Sequence, residues 1–207
     1  ERIRPEEIER RSFEIITDLL GEQQPPDETA HIVKRVIHTT ADLEYAETLY
    51  FSENAAQILS QALAEGAHIV TDTQMALSGI NKKTLAAFGG QVHCFMADED
   101  VARQARERGV TRACVSMEKA ATLSVPLIFA IGNAPTALLR LDELVREGTV
   151  RPRLIIGVPV GFVNVVQSKE RIMNAGVPCI VAKGHKGGSN VAAAIVNAGL
   201  YRLTRAE

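Results

Sequence analysis

Tryptophan is missing from this 207-residue chain, and aromatic residues of all kinds make up only 4% of it. That scarcity argues against a surface that stacks the bases of single-stranded nucleic acid. Neither sign of charge is in excess: 23 Lys and Arg stand against 25 Asp and Glu, a formal charge of −2. A nucleic-acid partner therefore has no electrostatic footprint here. Long apolar runs are lacking too. Residues 125–131 and 154–160 are the longest and fall far short of the ~20 residues that span a bilayer, so no membrane partner is expected. Cysteine is sparse: Cys94, Cys114 and Cys179 are odd in number, widely spaced and set in apolar runs. This pattern fits buried thiols in a reducing compartment rather than disulfides or a zinc site. The charged stretch 1–7 has no apolar signal segment, which points to the cytoplasm.

What is present is an ordinary globular mixture, 46% apolar and 23% charged, long enough to bury roughly 70% of the surface of the unfolded chain. Apolar runs of strand length alternate with longer segments of helical period, which predicts an α/β fold. Strands are expected at 43–51, 67–71, 91–95, 127–131, 154–158 and 179–182. Several are continuous Val/Ile/Leu runs, as in a mostly parallel sheet covered on both faces. Helices are expected at 5–20, 28–37, 54–65, 98–108, 111–123, 135–146, 164–175 and 189–200. Asn133-Ala134-Pro135 reads as a helix start with Asn as cap, and Gly21, Gly66, Gly109, Gly148 and Gly176 as helix stops. No linker or internal repeat divides the chain, so residues 1–207 are read as one domain.

In an open parallel sheet, ligands lie beyond the carboxyl ends of the strands. The turns expected there include 71–75, 96–100, 132–136, 159–164 and 183–190. The last, Lys183-Gly184-His185-Lys186-Gly187-Gly188-Ser189-Asn190, leads from a strand into a helix, where free N–H groups and the positive helix end suit an anion. It lacks the GxxxxGK[ST] spacing of a nucleotide-binding loop, so phosphate and carboxylate are equally admissible, as is a plain Gly-rich turn with solvated lysines. His38 has the most suggestive setting of the five histidines, at the expected end of a helix and three residues after Arg35, so that both can share one face. It reads either as a general acid working near neutral pH or as a histidine that caps a helix beside a basic turn. His31, His68, His93 and His185 show no metal-ligand spacing, and His68 and His93 read as strand residues. Asp98-Glu99-Asp100 reads as the acidic first turn of a helix. Ser116, Ser124 and Cys114 lie in no hydrolase motif.

Several strings, taken in order and spacing, resemble the precorrin-8X methylmutases, including the cobalt-precorrin-8 methylmutases of vitamin B12 biosynthesis. They are Arg11-Ser12-Phe13-Glu14-Ile15-Ile16, Arg35-Val36-Ile37-His38-Thr39-Thr40-Ala41-Asp42, Asp72-Thr73-Gln74-Met75, Gly132-Asn133-Ala134-Pro135-Thr136-Ala137-Leu138, Gly157-Val158-Pro159-Val160-Gly161-Phe162-Val163, and Lys186-Gly187-Gly188-Ser189-Asn190-Val191-Ala192-Ala193-Ala194. The resemblance implies a three-layer α/β/α fold of flavodoxin-like type and a homodimer with active sites near the subunit interface. It implies an isomerase that moves a methyl group from carbon 11 to carbon 12 of the macrocycle, giving hydrogenobyrinate or its cobalt-containing counterpart for the next pathway enzyme. No dissociable cofactor or methyl donor is implied, and any cobalt arrives with the substrate.

Carried over by position, the catalytic histidine is His38, and Ser12 and Arg35 bind substrate. The substrate is a large apolar ring edged with carboxylates. Its chemistry adds Arg112 as a bidentate grip and turns the Lys186-Gly187-Gly188-Ser189 segment into a carboxylate cradle. Members of the family often carry Arg around positions 183 and 185, where this chain has Lys183 and His185. Two rival readings use fewer of these strings: a non-catalytic tetrapyrrole carrier, and a nucleotide-binding α/β enzyme.

Overall fold

The computed structural model describes residues 4–204. Six strands form one sheet: β1 (Leu49–Phe51), β2 (His68–Thr71), β3 (Val92–His93), β4 (Leu127–Ile131), β5 (Leu154–Gly157) and β6 (Cys179–Ala182). Their order across the sheet is β1-β6-β5-β4-β2-β3. All neighbours are parallel except β1, which runs antiparallel along the outer edge of β6. Counted without β1, the parallel strands lie in the order second, first, third, fourth, fifth, which is the flavodoxin-like winding, with its direction reversing between β2 and β4.

The sheet is sandwiched between two helical layers because its strands are apolar on both faces. Along β4, Ile128 and Ala130 join the core beneath α2 (Asp27–Thr40), α4 (Ala55–Ala64) and α11 (Ser189–Thr204). The alternating residues Leu127, Phe129 and Ile131 join the core beneath α8 (Arg112–Ala120), α9 (Pro135–Arg146) and α10 (Val165–Met173). This alternation is the pleat of a strand buried on both sides. Helix α11 is apolar nearly all round, as a helix enclosed by neighbours must be. Gly199 on it lets α4 come close, since a Cβ there would sit 2.8 Å from Leu63 and 2.9 Å from Leu59. Helix α1 (Pro5–Leu20) packs on the outside of α2.

Several sequence expectations need correction. Residues 43–51 are not one strand: Tyr45–Thr48 form a helical turn, α3, and only Leu49–Phe51 pair with β6. The buried pair Tyr45 and Leu49 has helical i, i+4 spacing. Two six-residue helices, α5 (Gln74–Gly79) and α6 (Lys82–Ala87), fill what reads as connection, and α7 (Glu99–Arg108) follows β3. Helix α2 runs on to Thr40, so His38 lies within its last turn. Only Cys179 of the three cysteines is buried, and burial pushes its thiol up to about 11. Asn133 does not cap α9. Ala134 holds that position, with Pro135 following as expected. The five glycines expected at helix ends all have positive φ.

Candidate active site

The carboxyl ends of β2, β4, β5 and β6 open on one rim, and its turns are tied to one another by long-range hydrogen bonds. Asp72, 1% exposed, follows β2 and accepts from the backbone N–H groups of Gly132 (2.9 Å), Asn133 (2.8 Å) and Ala134 (2.6 Å) after β4. Burial pushes its carboxyl up, against the opposing pull of those three N–H groups. The Thr73 hydroxyl caps α5 and meets the Ser189 hydroxyl at 2.7 Å. Gly132 has no room for a side chain: a Cβ would lie 2.6 Å from Cα of Ser189. The reversal point between β2 and β4 is therefore closed, and it braces the start of α11.

The Gly-rich loop after β6 is fastened from below and from the side. The Gly188 N–H donates to Val158 O at 2.9 Å, and the Gly161 N–H to His185 O at 3.1 Å. His185 Nδ1 lies 2.8 Å from the carbonyl of Gly161, which only accepts, so Nδ1 carries the proton. The His185 ring leans on Phe162, centroids 5.1 Å apart. Phe162 is 83% exposed, with Val163 and Val160 beside it, so an apolar ledge stands next to the polar loop. Beneath the loop, Lys169 of α10 donates to Gly184 O (2.7 Å) and Lys186 O (2.9 Å).

His38 stands exposed in the last turn of α2, where its ring stacks on Phe13 of α1, with centroids 5.4 Å apart and planes 24° from parallel. One helical turn earlier, Arg35 is ion-paired with Glu9, and its guanidinium carbon lies 4.8 Å from the Phe13 ring centroid and 4.9 Å from that of Tyr201. Phe13 thus locks both predicted residues into one face. Ser12, next to Phe13 on α1, donates its hydroxyl to Ile8 O at 2.9 Å. Past His38, Ala41 takes the left-handed conformation (φ 55°) and its N–H returns to Ile37 O, which ends the helix. The chain then turns so that Asp42 and Glu44 both grip Lys186 of the β6 loop. The hydrogen bond from Lys186 holds the Asp42 carboxyl below its usual range, and the two carboxylates raise the Lys186 ammonium.

Arg35 and His38 are thus gathered around one aromatic ring, with Ser12 on the adjoining exposed face of α1, and Lys186, Gly187, Gly188 and Ser189 are joined to that group through Asp42 and Glu44. Arg112 is set apart from them. It opens α8 in the opposite helical layer, next to Thr111, whose hydroxyl donates to Thr136 at 2.9 Å. Phe13, Tyr201, Asp42, Glu44 and Lys169 were missed by sequence reasoning. Lys169 alone left a local signal: Val165, Ser168, Lys169 and Ile172 have the i, i+3, i+4, i+7 spacing of a buried stripe, and all four are buried. Among the described residues, no group of three His, Cys, Asp or Glu side chains could hold a metal ion, and no helix is long and apolar enough to cross a membrane.

The sequence matches the family described as precorrin-8X methylmutase over residues 7–202. It is 47% identical to a cobalt-precorrin-8 methylmutase of Salmonella typhimurium strain LT2, over 98% of this chain and 97% of that protein. It is 37% identical to a precorrin-8X methylmutase of Pseudomonas aeruginosa, over 92% of each chain. A crystal structure of a precorrin-8X methylmutase from Thermus thermophilus superposes with a TM-score of 0.85, at 37% identity and over 95% of this chain and 96% of that one. With the expected strings in place around one rim and these relatives matching end to end, the chain belongs to the precorrin-8X methylmutase family.

Proposed function

We propose that this protein is the isomerase that moves a methyl group from carbon 11 to carbon 12 of a precorrin-8 macrocycle in cobalamin biosynthesis. The observation that carries this reading is the exposed His38 imidazole, held face to face on Phe13 at the rim, one turn from a guanidinium clamped between two aromatic rings. The methyl stays within one molecule: its bond to carbon 11 breaks as its bond to carbon 12 forms. No external donor enters the balance, and no dissociable cofactor is called for. A [1,5]-sigmatropic shift asks the protein to orient the ring and to stabilise charge as conjugation changes. His38 supplies a proton, or a charge-assisted hydrogen bond, to the ring region where the methyl migrates. Ser12 and Arg35 hold the substrate beside it, and the N–H groups of the loop after β6 receive peripheral carboxylates.

The 47% identity to a cobalt-precorrin-8 methylmutase favours the cobalt-containing substrate, with the metal a passenger inside the macrocycle. We further propose a homodimer working in the cytoplasm. Ile8, Ile15 and Leu19 are exposed along α1 on the face that also carries Ser12, an apolar stripe suited to a partner near the site.

The deciding experiment follows visible absorbance of purified protein with cobalt-precorrin-8 and, separately, precorrin-8, with His38→Ala in parallel and products identified by NMR. Migration by the wild type should be slowed by at least about 10²-fold in the variant, while product affinity stays within a few-fold. A variant with the wild-type single-turnover rate at saturating substrate would remove the role of His38. Tight binding without migration would favour a carrier instead.

A further inference from the structure

Lys169 is 1% exposed, yet among the described residues no carboxylate pairs with it. Burial pushes its ammonium down to about 8, which leaves it protonated at neutral pH. An apolar residue in the same helical stripe would avoid the desolvation of a charge. The ammonium donates to two carbonyls of the loop 183–188, Gly184 O and Lys186 O, and so fixes which way those two peptides face. What the lysine adds is therefore direction. In a trans peptide the C=O of one residue and the N–H of the next point opposite ways. Pulling the carbonyls of Gly184 and Lys186 inward turns the N–H groups of His185 and Gly187 away from Lys169, and among the described residues neither N–H donates to a backbone acceptor. The charge of Lys186 is meanwhile matched by Asp42 and Glu44, so it is not the positive charge the loop offers to an anion.

We propose that Lys169 is a positioning residue for the methylmutase reaction: its buried ammonium sets the loop after β6 so that the N–H groups of His185 and Gly187 face a carboxylate of the substrate. Lys169 does not touch the substrate, and it acts through the loop. This role rests on the methylmutase reading, and the test separates the two.

In Lys169→Met, which keeps the length and packing of the side chain but deletes its donors, hydrogen exchange is measured residue by residue alongside steady-state kinetics with cobalt-precorrin-8. The hydrogen-bonded amides that fasten the loop, Gly188 on Val158 O and Gly161 on His185 O, should exchange at least about tenfold faster while those of β4 and β5 are unchanged, and KM should rise about tenfold with a much smaller change in kcat. Lys169→Gln, which keeps an N–H donor without the charge, should recover part of the loop protection and part of the KM, and it serves if the Met variant does not fold. Unchanged loop exchange overturns the proposal. So does uniformly faster exchange with unchanged KM, which would mark a purely structural lysine. If the wild type itself fails to turn over either macrocycle, the functional reading falls, and with it the carboxylate, whereas loop exchange still reports whether Lys169 sets the loop.

Discussion

Replacing Gly187 by alanine puts a Cβ 2.1 Å from the carbonyl oxygen of Val158, 2.8 Å from its carbon and 3.0 Å from the carbonyl carbon of Pro159. All three are backbone atoms at the buried end of β5, so no side chain can swing aside. Relief needs roughly 1 Å of separation between the loop and the strand. That movement breaks the bond from Gly188 N–H to Val158 O, worth about 1 kcal/mol, and strains the two bonds from the Lys169 ammonium, worth about 1.5–3 kcal/mol each. With partial relaxation the loss comes to about 2–4 kcal/mol. At ~2–4 °C per kcal/mol for a chain of this size, Tm falls by roughly 4–16 °C. For the loop proposed to receive substrate carboxylates, a 1 Å displacement costs on the order of 10²-fold in kcat/KM. The control lies in the same loop. Gly184 has φ +80°, but a Cβ there would meet nothing within 4 Å, so Gly184→Ala carries only the left-handed penalty of about 1 kcal/mol. Thermal unfolding by circular dichroism and methyl-migration kinetics on both variants decide the matter. If Gly187→Ala matches Gly184→Ala in Tm and in kcat/KM, the tight approach of loop to strand is not what shapes the site.

The pH dependence of stability carries the signature of Lys169. Its folded-state value of about 8 lies below the 10.5 of a free lysine, so between those values the unfolded chain keeps a proton that the folded chain has lost. Stability therefore rises with pH across that window, by at most about 3 kcal/mol, as the difference between wild type and Lys169→Met in urea titrations at pH 7 to 10.5; a flat difference would contradict a buried, unpaired ammonium. The proposed dimer is checked by sedimentation equilibrium, which should return twice the 22.4 kDa of one chain at micromolar concentration; a single-chain mass throughout would rule it out.

Strands β2, β4, β5 and β6 were legible because burial on both faces writes itself as short apolar runs centred on Val, Ile and Leu without polar alternation. The edge strand β1 was placed within 43–51 but its start was not legible, since three residues paired on one side leave too short a pattern, and the helical turn before it shares the same apolar run. Helices α5 and α6, six residues each, are too short to display a 3.6-residue period. The end of α2 was placed early because Thr39 and Thr40 are poor helix formers, yet Thr40 is held by its own hydroxyl on Val36 O. Within the site, the resemblance supplied Ser12, Arg35 and His38, and the aromatic ring that gathers Arg35 and His38 went unread. The expectation that Asn133 caps α9 failed for a reason no local window contains: a carboxyl 60 residues upstream takes the N–H groups of that turn. Lys186 presents the same difficulty, its partners lying 144 and 142 residues away.

Asp72 also bears on which visitors the fold can admit. In doubly wound folds, the N–H groups ahead of the helix at the strand reversal are commonly offered to the phosphate of a visiting nucleotide. In this chain a tethered guest already sits there. A diffusing phosphate would have to evict a side chain that is covalently attached and so present at a very high effective concentration. The vestibule used by nucleotide-binding cousins of this fold is thus occupied from within, and traffic with the outside is left to the neighbouring doorway, where the loop after β6 keeps two N–H groups facing out.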